Sequence, residues 1–367
     1  RTEKVAKKQV PSERLPVAHV LVDTGVYHLD ETFSYVVPAD LDDLCAPGVL
    51  VKIPFGRGVT KGVVIERTAG TTAGLKFIEK NLTNIPVVSS RQLSLFEKVA
   101  HRYGSKVWDV FNLASPTPTK GSEISDEAEI TKASQAPTRH RFYEVPVGTP
   151  MAKSLKEVIA EHMVKGANKV VVLFPDEKAL YRASRTIEAD VIISSNLKPS
   201  ARFAAYRRSN TMQAGIVFGL RSSVFLDCQP CDLLVIVNDV DESHYERRFP
   251  RYNTRDVALL RAQNVNLLFL FQSASLEIAR LIDLGWLNPF ESAMSAESAS
   301  RIKVHCDDGN PSRVHGLISE GLKRGSVLVV HANTGYVNSF LCAHCKNLAV
   351  CDCGGRLTQT AAGSSVE

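Results

Sequence analysis

The sequence predicts an α/β protein in which a β-rich N-terminal domain precedes a parallel-sheet lobe and the start of a Cys-rich module. Three observations carry this expectation. Short β-type runs broken by Pro, Gly and Asp crowd residues 15–68, apolar strands alternate with helical periodicities beyond about residue 141, and four Cys fall between Cys342 and Cys353.

Residues 1–14 are polar and basic (Arg1, Lys4, Lys7, Lys8, Arg14) without apolar periodicity and are expected to form a solvated tail. Strands are expected at Val17–Val22, Phe33–Val37, Val49–Ile53 and Gly62–Ile65, within a domain over 15–114. Leu93, Phe96, Val99 and Ala100 have helical spacing in Arg91–Tyr103, a helix expected to cover one end of that sheet. A Ser/Thr-rich, acidic stretch over 115–140 is expected to be a linker. Over 141–335, helical segments at Leu155–Met163, Lys178–Thr186 and Thr254–Gln263 alternate with strands at Val170–Phe174, Val191–Ile193, Ile216–Phe218, Leu233–Val237 and Leu267–Phe271. That alternation implies a parallel sheet covered on both faces. Residues 336–367 would begin a metal module, and no internal repeat is visible.

With 44% hydrophobic and 23% charged residues, the 367-residue composition is that of a soluble globular chain of two or three domains. No apolar run approaches the ~18 residues that span a bilayer, and no signal pattern opens the chain, so a cytoplasmic protein is expected. A net charge of +5 is mild, so any nucleic-acid contact must come from local clustering. In such a compartment the uneven Cys favour metal over disulfides.

Leu233–Val237 empties into Asn238-Asp239-Val240-Asp241-Glu242, where nucleotide enzymes with parallel sheets keep the acid that holds magnesium. A solvated strand end is the plainer explanation of the same residues. The phosphate-gripping half is missing, since no Gly-Lys dipeptide occurs anywhere in the chain.

From Leu15 onward the chain resembles the bacterial PriA family of primosomal replication-restart proteins. Leu15-Pro-Val-Ala-His-Val20, Thr32-Phe-Ser-Tyr35 and Val49-Leu-Val-Lys-Ile-Pro-Phe-Gly56 are similar to that family's N-terminal DNA-binding domain. Gly219-Leu-Arg-Ser-Ser-Val-Phe225, Arg251-Tyr-x-x-Arg-Asp256 and Ser273-Ala-Ser-Leu-Glu277 resemble its first, RecA-like helicase lobe. The resemblance places the family's phosphate loop on Gly148-Thr149-Pro150-Met151-Ala152 and its acidic box on Asn238, Asp239, Val240 and Asp241. Met151 replaces the lysine ammonium, Ala152 replaces the metal-binding hydroxyl, and Pro150 removes a backbone N–H. A degenerate, non-hydrolysing branch is therefore expected, with no catalytic residues. About thirty residues separate Pro116 from Pro146, too few for the winged helix that the family carries there.

The resemblance further implies a pocket for the 3′ end of a nascent strand at Phe33, Ser34, Gly56 and Lys76, with Ser34 in place of the family's Asp. Arg247, Arg248, Arg251, Arg255 and Arg261, interleaved with Tyr245, Phe249 and Tyr252, suit a phosphate track with base stacking, as do Arg202, Arg207 and Arg208 with Phe203 and Tyr206. A solvated charged face is the bland alternative for both groups. Cys342-Ala-His-Cys345 and Cys351-Asp-Cys353 are a zinc signal, with His344 as a further candidate, although the second pair is one residue short of C-x-x-C. Cys228-Gln-Pro-Cys231 precedes a strand and is read as a loop. Expected partners are branched DNA at replication forks, primosome proteins, the replicative helicase or its loader, and single-stranded DNA-binding protein, with no membrane. The rival expectations are an ATP-dependent 3′-to-5′ helicase and a zinc-ribbon protein-interaction module.

Overall fold

The computed structural model describes residues 9–29, 31–118, 138–146, 148–164, 169–289, 311–329, 339–345, 347–352, 357–359 and 363. Residues 1–8, most of the expected linker and Cys353 lie outside that set.

An antiparallel sheet forms first, from β1 (Val17–Val22), β2 (Thr32–Val36), β3 (Leu50–Phe55), β4 (Gly58–Thr68) and β5 (Lys80–Asn81), in the order β2-β1-β4-β3-β5. Its two edges are joined by one segment. The Val36 N–H donates to the Lys76 carbonyl (2.9 Å) and Ile78 N–H to that of Val36 (3.0 Å), after which Glu79 N–H donates to the carbonyl of Lys52 (2.9 Å). Residues 76–81 thus bond to β2 and then to β3, closing the sheet into a small barrel. Alternation by two sends Val20, Tyr35, Val51, Ile53 and Val64 inward with Ile78. A bulge between His19 and Val20 shifts the β1–β4 register, and there a Cβ on Gly62 would lie 2.4 Å from Val20 Cγ1. Only glycine fits that approach.

Two helices follow, α1 (Ser90–Tyr103) and α2 (Val107–Ala114). A reciprocal capping box starts α1: Ser89 Oγ accepts from the Gln92 N–H (3.2 Å), and Gln92 Oε1 accepts from the Ser89 N–H (3.0 Å). Gly104, left-handed at φ 60°, ends it. Leu21, Leu50 and Val63 on the outer barrel wall share one apolar cluster with Phe96, Val99 and Phe111 of the helices and with Phe225, Tyr252 and Val257 further along the chain. The expected role of the first helix, covering the sheet, is therefore half of its packing. The helix pair is a shared layer between barrel and lobe.

The lobe is a seven-stranded, wholly parallel sheet of β6 (His140–Glu144), β7 (Lys169–Leu173), β8 (Val191–Ile193), β9 (Gly215–Gly219), β10 (Leu233–Val237), β11 (Asn266–Phe271) and β12 (Asn288–Pro289). The order is β12-β6-β11-β10-β7-β9-β8. Its two faces follow from period two. Val170, Val172, Val235 and Leu268 meet Leu155, Val158 and Leu180 of α3 (Met151–Val164) and α4 (Glu177–Ser184). Val171, Leu173, Leu234 and Phe269 meet Phe203, Val257 and Ile278 of α5 (Pro199–Thr211), α6 (Thr254–Leu260) and α7 (Leu276–Asp283). The α/β class and both sheets match the expectation, while α2, β6, α5 and α7 were not anticipated.

Residues 299–367 cluster separately from 1–298. Their described part holds α8 (Pro311–Leu322) and a short bridge between Leu341 and Leu348. No described helix is long and apolar enough to cross a membrane.

Candidate nucleic-acid interface

At the barrel mouth, the Phe33 ring meets the Phe55 ring edge-on, with centroids 5.2 Å apart. Phe55 ends β3 and leads into Gly56, whose φ of +55° is left-handed while a Cβ there would meet nothing within 4 Å. Conformation, not space, calls for the glycine. Tyr35 Oη donates to the Pro54 carbonyl (3.1 Å), binding β2 to the same turn, and exposed Lys76 stands on the closing segment beside Val36. An aromatic face, a turn and a free ammonium on neighbouring segments can stack a terminal base and pair its phosphate.

Ser34 is not brought to that turn. As the next residue in β2 it faces the opposite side of the sheet from Phe33, where its Oγ meets His19 Nδ1 (3.2 Å), while His19 Nε2 meets Thr68 Oγ1 (3.1 Å). His19 lies opposite Ser34 in the β1–β2 ladder, a register that the sequence alone did not supply.

The expected phosphate corner is filled from within. Gly148 is left-handed (φ 83°), but the Thr149 N–H is spent on the Pro146 carbonyl (2.9 Å), and Pro150 accepts from Lys153 N–H (2.9 Å) as α3 begins. Met151 packs against the apolar cluster beneath α3, and Ala152 adds no polar atom. Across the sheet ends, Asp239 is 2% exposed and accepts from Arg255 Nη1 (3.1 Å) and Ser275 Oγ (2.9 Å). Asp241 caps the turn after β10 through the Ser243 N–H (2.9 Å). Asn238, left-handed at φ 54°, reaches Asp241 Oδ2 with its amide at 3.4 Å. Asp239 is thus engaged from within the lobe, while Asp241 stays partly exposed.

The arginine run divides. Arg255 is buried and ion-paired with Asp239 and Glu277 (3.0 Å), and Arg261 is buried with Nη2 on the Leu226 carbonyl (2.8 Å) and Nη1 on that of Val224. Both are corrections to the expected phosphate track, because their guanidiniums hold the lobe together. Arg207 and Tyr252 are likewise buried, whereas Arg208 is exposed. Arg247, Arg248 and Arg251 remain outward with Tyr245 and Phe249, each about half exposed. Buried Glu246 sits beneath them. Against its desolvation, hydrogen bonds from Arg248 and the charges of Arg221 and Arg248 hold its carboxyl down at about 2.

Zinc fits the terminal cysteines in one half only. Cys342 and Cys345 are exposed and unbridged, and N–H groups of Cys345 and His344, with the Cys345 thiol, hold the Cys342 thiol below its usual range. The spacing Cys342-x-x-Cys345 is that of a zinc knuckle's first ligand pair. Cys351, however, is disulfide-bonded, Cys353 lies outside the described residues, and among the described residues no group of three or more ligands assembles. Cys228 and Cys231 are buried and unbridged, and burial pushes the Cys228 thiol up.

Residues 19–116, the barrel with its two helices, match the PriA 3′ DNA-binding domain (3′BD). Over that domain the chain is similar to the PriA family. It is 27% identical to the probable replication restart protein PriA of Mycobacterium tuberculosis strain CDC 1551, over 93% of this chain and 59% of that protein. It is 25% identical to the Mycobacterium leprae counterpart, over 91% and 59%. The replication restart protein PriA of Haemophilus influenzae is 24% identical over 52% of this chain and 28% of its own length. The chain therefore spans about three fifths of the mycobacterial PriA sequences. A crystal structure of the PRRSV nsp10 helicase aligns over 74% of this chain and 44% of that one, with 12% identity and a TM-score of 0.23, too low to bear on the fold.

Proposed function

We propose that this chain is a PriA-family fork-recognition protein of replication restart, which seats the 3′ end of a nascent strand at the barrel mouth and does not hydrolyse ATP. The carrying observation is the contact of Phe33 with Phe55 at the turn into Gly56, together with exposed Lys76 on the segment bonded to β2 at Val36, all within the 3′BD match. Outward Arg247, Arg248 and Arg251 with Tyr245 and Phe249 supply a second, sequence-independent hold on phosphates and bases. Idle chemistry at the phosphate corner is supported by Met151 packing into the core and by Asp239 being consumed by Arg255 and Ser275. Removing charge from a phosphoryl-transfer site costs several powers of ten in rate. A protein of this kind hands the fork to primosome proteins and the replicative helicase loader in the cytoplasm. Zinc held by Cys342 and Cys345 with further ligands would order the Cys-rich segment.

Anisotropy titrations with three DNAs test this: a fork with a free 3′ end, the same fork with that end blocked by phosphate, and plain duplex. The free end should bind at least tenfold tighter, with the preference erased by Phe33→Ala or Lys76→Ala. Affinity should fall with log[salt] at about −0.9 per neutralised phosphate. Equal affinity for all three DNAs overturns the proposal, and fork-stimulated release of phosphate from ATP overturns its second half.

A further inference from the structure

A cavity of about 710 Å³ opens at the carboxyl ends of β7, β8 and β9, where Pro175, Ile193 and Leu220 line it. Neither Met151 nor Asp239 lines it, so it is a different place from the filled phosphate corner. Crevices beyond the carboxyl ends of parallel strands are where open α/β sheets take ligands, and this volume lies within the roughly 300–1,000 Å³ typical of small-molecule sites.

The lining is cationic. Arg202, Arg221 and Arg248 reach it against one carboxylate, Glu246, which Arg221 (3.0 Å) and Arg248 (3.1 Å) share, so the lining carries a net charge of +2 and Arg202 has no carboxylate partner in it. The guanidiniums are held in place. Arg221 Nη1 donates to the carbonyls of Ser243 (2.7 Å) and Tyr245 (2.8 Å), and its Nη2 binds Glu246 (3.0 Å). Arg202 Nη2 donates to the carbonyls of Ser195 and Leu197, while its buried Nε has no partner. Ser223, 2% exposed, also lines the cavity with an unpartnered Oγ. Buried polar atoms are rarely left unbonded, and this pair offers unused hydrogen-bonding groups next to surplus positive charge. The opposite wall is Leu113 and the segment 115–117, anchored by Ser115 Oγ to Tyr206 Oη (3.0 Å).

We propose that this cavity binds a mononucleotide carrying a di- or polyphosphate, its phosphates taken by Arg202, Arg248 and the Ser223 hydroxyl and its base laid along Leu113 and Leu220. Guanidiniums pair phosphate oxygens bidentately and suit such a ligand better than a neutral one. The site is independent of strand-end binding at the barrel.

Equilibrium titration of the whole chain with a fluorescent ADP derivative tests it. Saturable one-to-one binding should be displaced by unlabelled ADP and by pyrophosphate. Arg202→Ala and Arg248→Ala should each weaken it at least tenfold while retaining the wild-type circular dichroism spectrum, and Phe33→Ala should leave it unchanged. Absence of saturation at millimolar nucleotide overturns the proposal, as does binding that survives both arginine variants. Displacement by oligothymidine at lower concentration than by ADP also overturns it, making the cavity a strand path.

Discussion

Single side chains decide whether this lobe is a motor or a platform. Arg255 illustrates how sequence misleads: in a run of five arginines it reads as a DNA contact, yet it lies inside the lobe bridging Asp239 and Glu277. Nothing in local spacing distinguishes it from outward Arg251, because the sorting is done by the turn that folds α6 under the ends of β10 and β11. Arg255→Ala should strip a buried carboxylate of its partner and cost about 3–5 kcal/mol, read as a lower denaturant midpoint; a change within 0.5 kcal/mol would show that the pair is dispensable. Glu246 makes a pH prediction. Its folded carboxyl sits at about 2 against an ordinary 4.5, so the stability it lends is complete above 4.5 and is lost as pH falls through 2. Thermal melts from pH 5 to 2 should fall more steeply in the wild type than in Glu246→Gln, and parallel slopes would refute the assignment. By contrast, the lack of any Gly-Lys dipeptide was legible at once, because an absent dipeptide needs no tertiary information.

Among the elements, the strands were the most legible, since period-two apolar runs such as Leu233–Val237 have few other ways to be buried. What escaped were elements whose sequence does not advertise a face. In α5 the buried positions Phe203, Tyr206, Arg207 and Ser209 mix apolar and polar types, so no apolar stripe marks the helix. In β6 only Phe142 and Tyr143 are buried, within a polar His140-Arg-Phe-Tyr-Glu144 strand. The 3′-end pocket expected at Phe33, Gly56 and Lys76 came from family resemblance alone, and the turning of Ser34 toward His19 needed the ladder register. The β1–β4 register also carries a detail with no sequence signature, the bulge after His19. Gly62→Ala should push a methyl into Val20 and the Leu21 carbonyl and destabilise the chain by about 1–3 kcal/mol. A melting temperature equal to wild type would mean that the bulge relaxes freely.

Over the whole molecule, within residues 1–298, barrel and lobe are joined by more than a tether. Arg91 grips Asp227 bidentately (2.9 and 2.8 Å), Gln92 Nε2 donates to Tyr206 Oη (3.2 Å) and the Phe225 carbonyl (2.8 Å), and Tyr103 Oη accepts from the Asn253 N–H (3.0 Å). The expected boundary at residue 114 follows the chain's composition, whereas these contacts cross it. The double variant Arg91→Ala, Gln92→Ala should split a single calorimetric transition into two, and one unbroken peak would argue that apolar packing alone unites the halves. Tension follows from this joinery. Gln92 of α1 bonds the Tyr206 phenol, which also anchors Ser115 in the far wall of the arginine-lined cavity, so a displacement of the helix pair against the lobe would be felt at that crevice as a lever's torque.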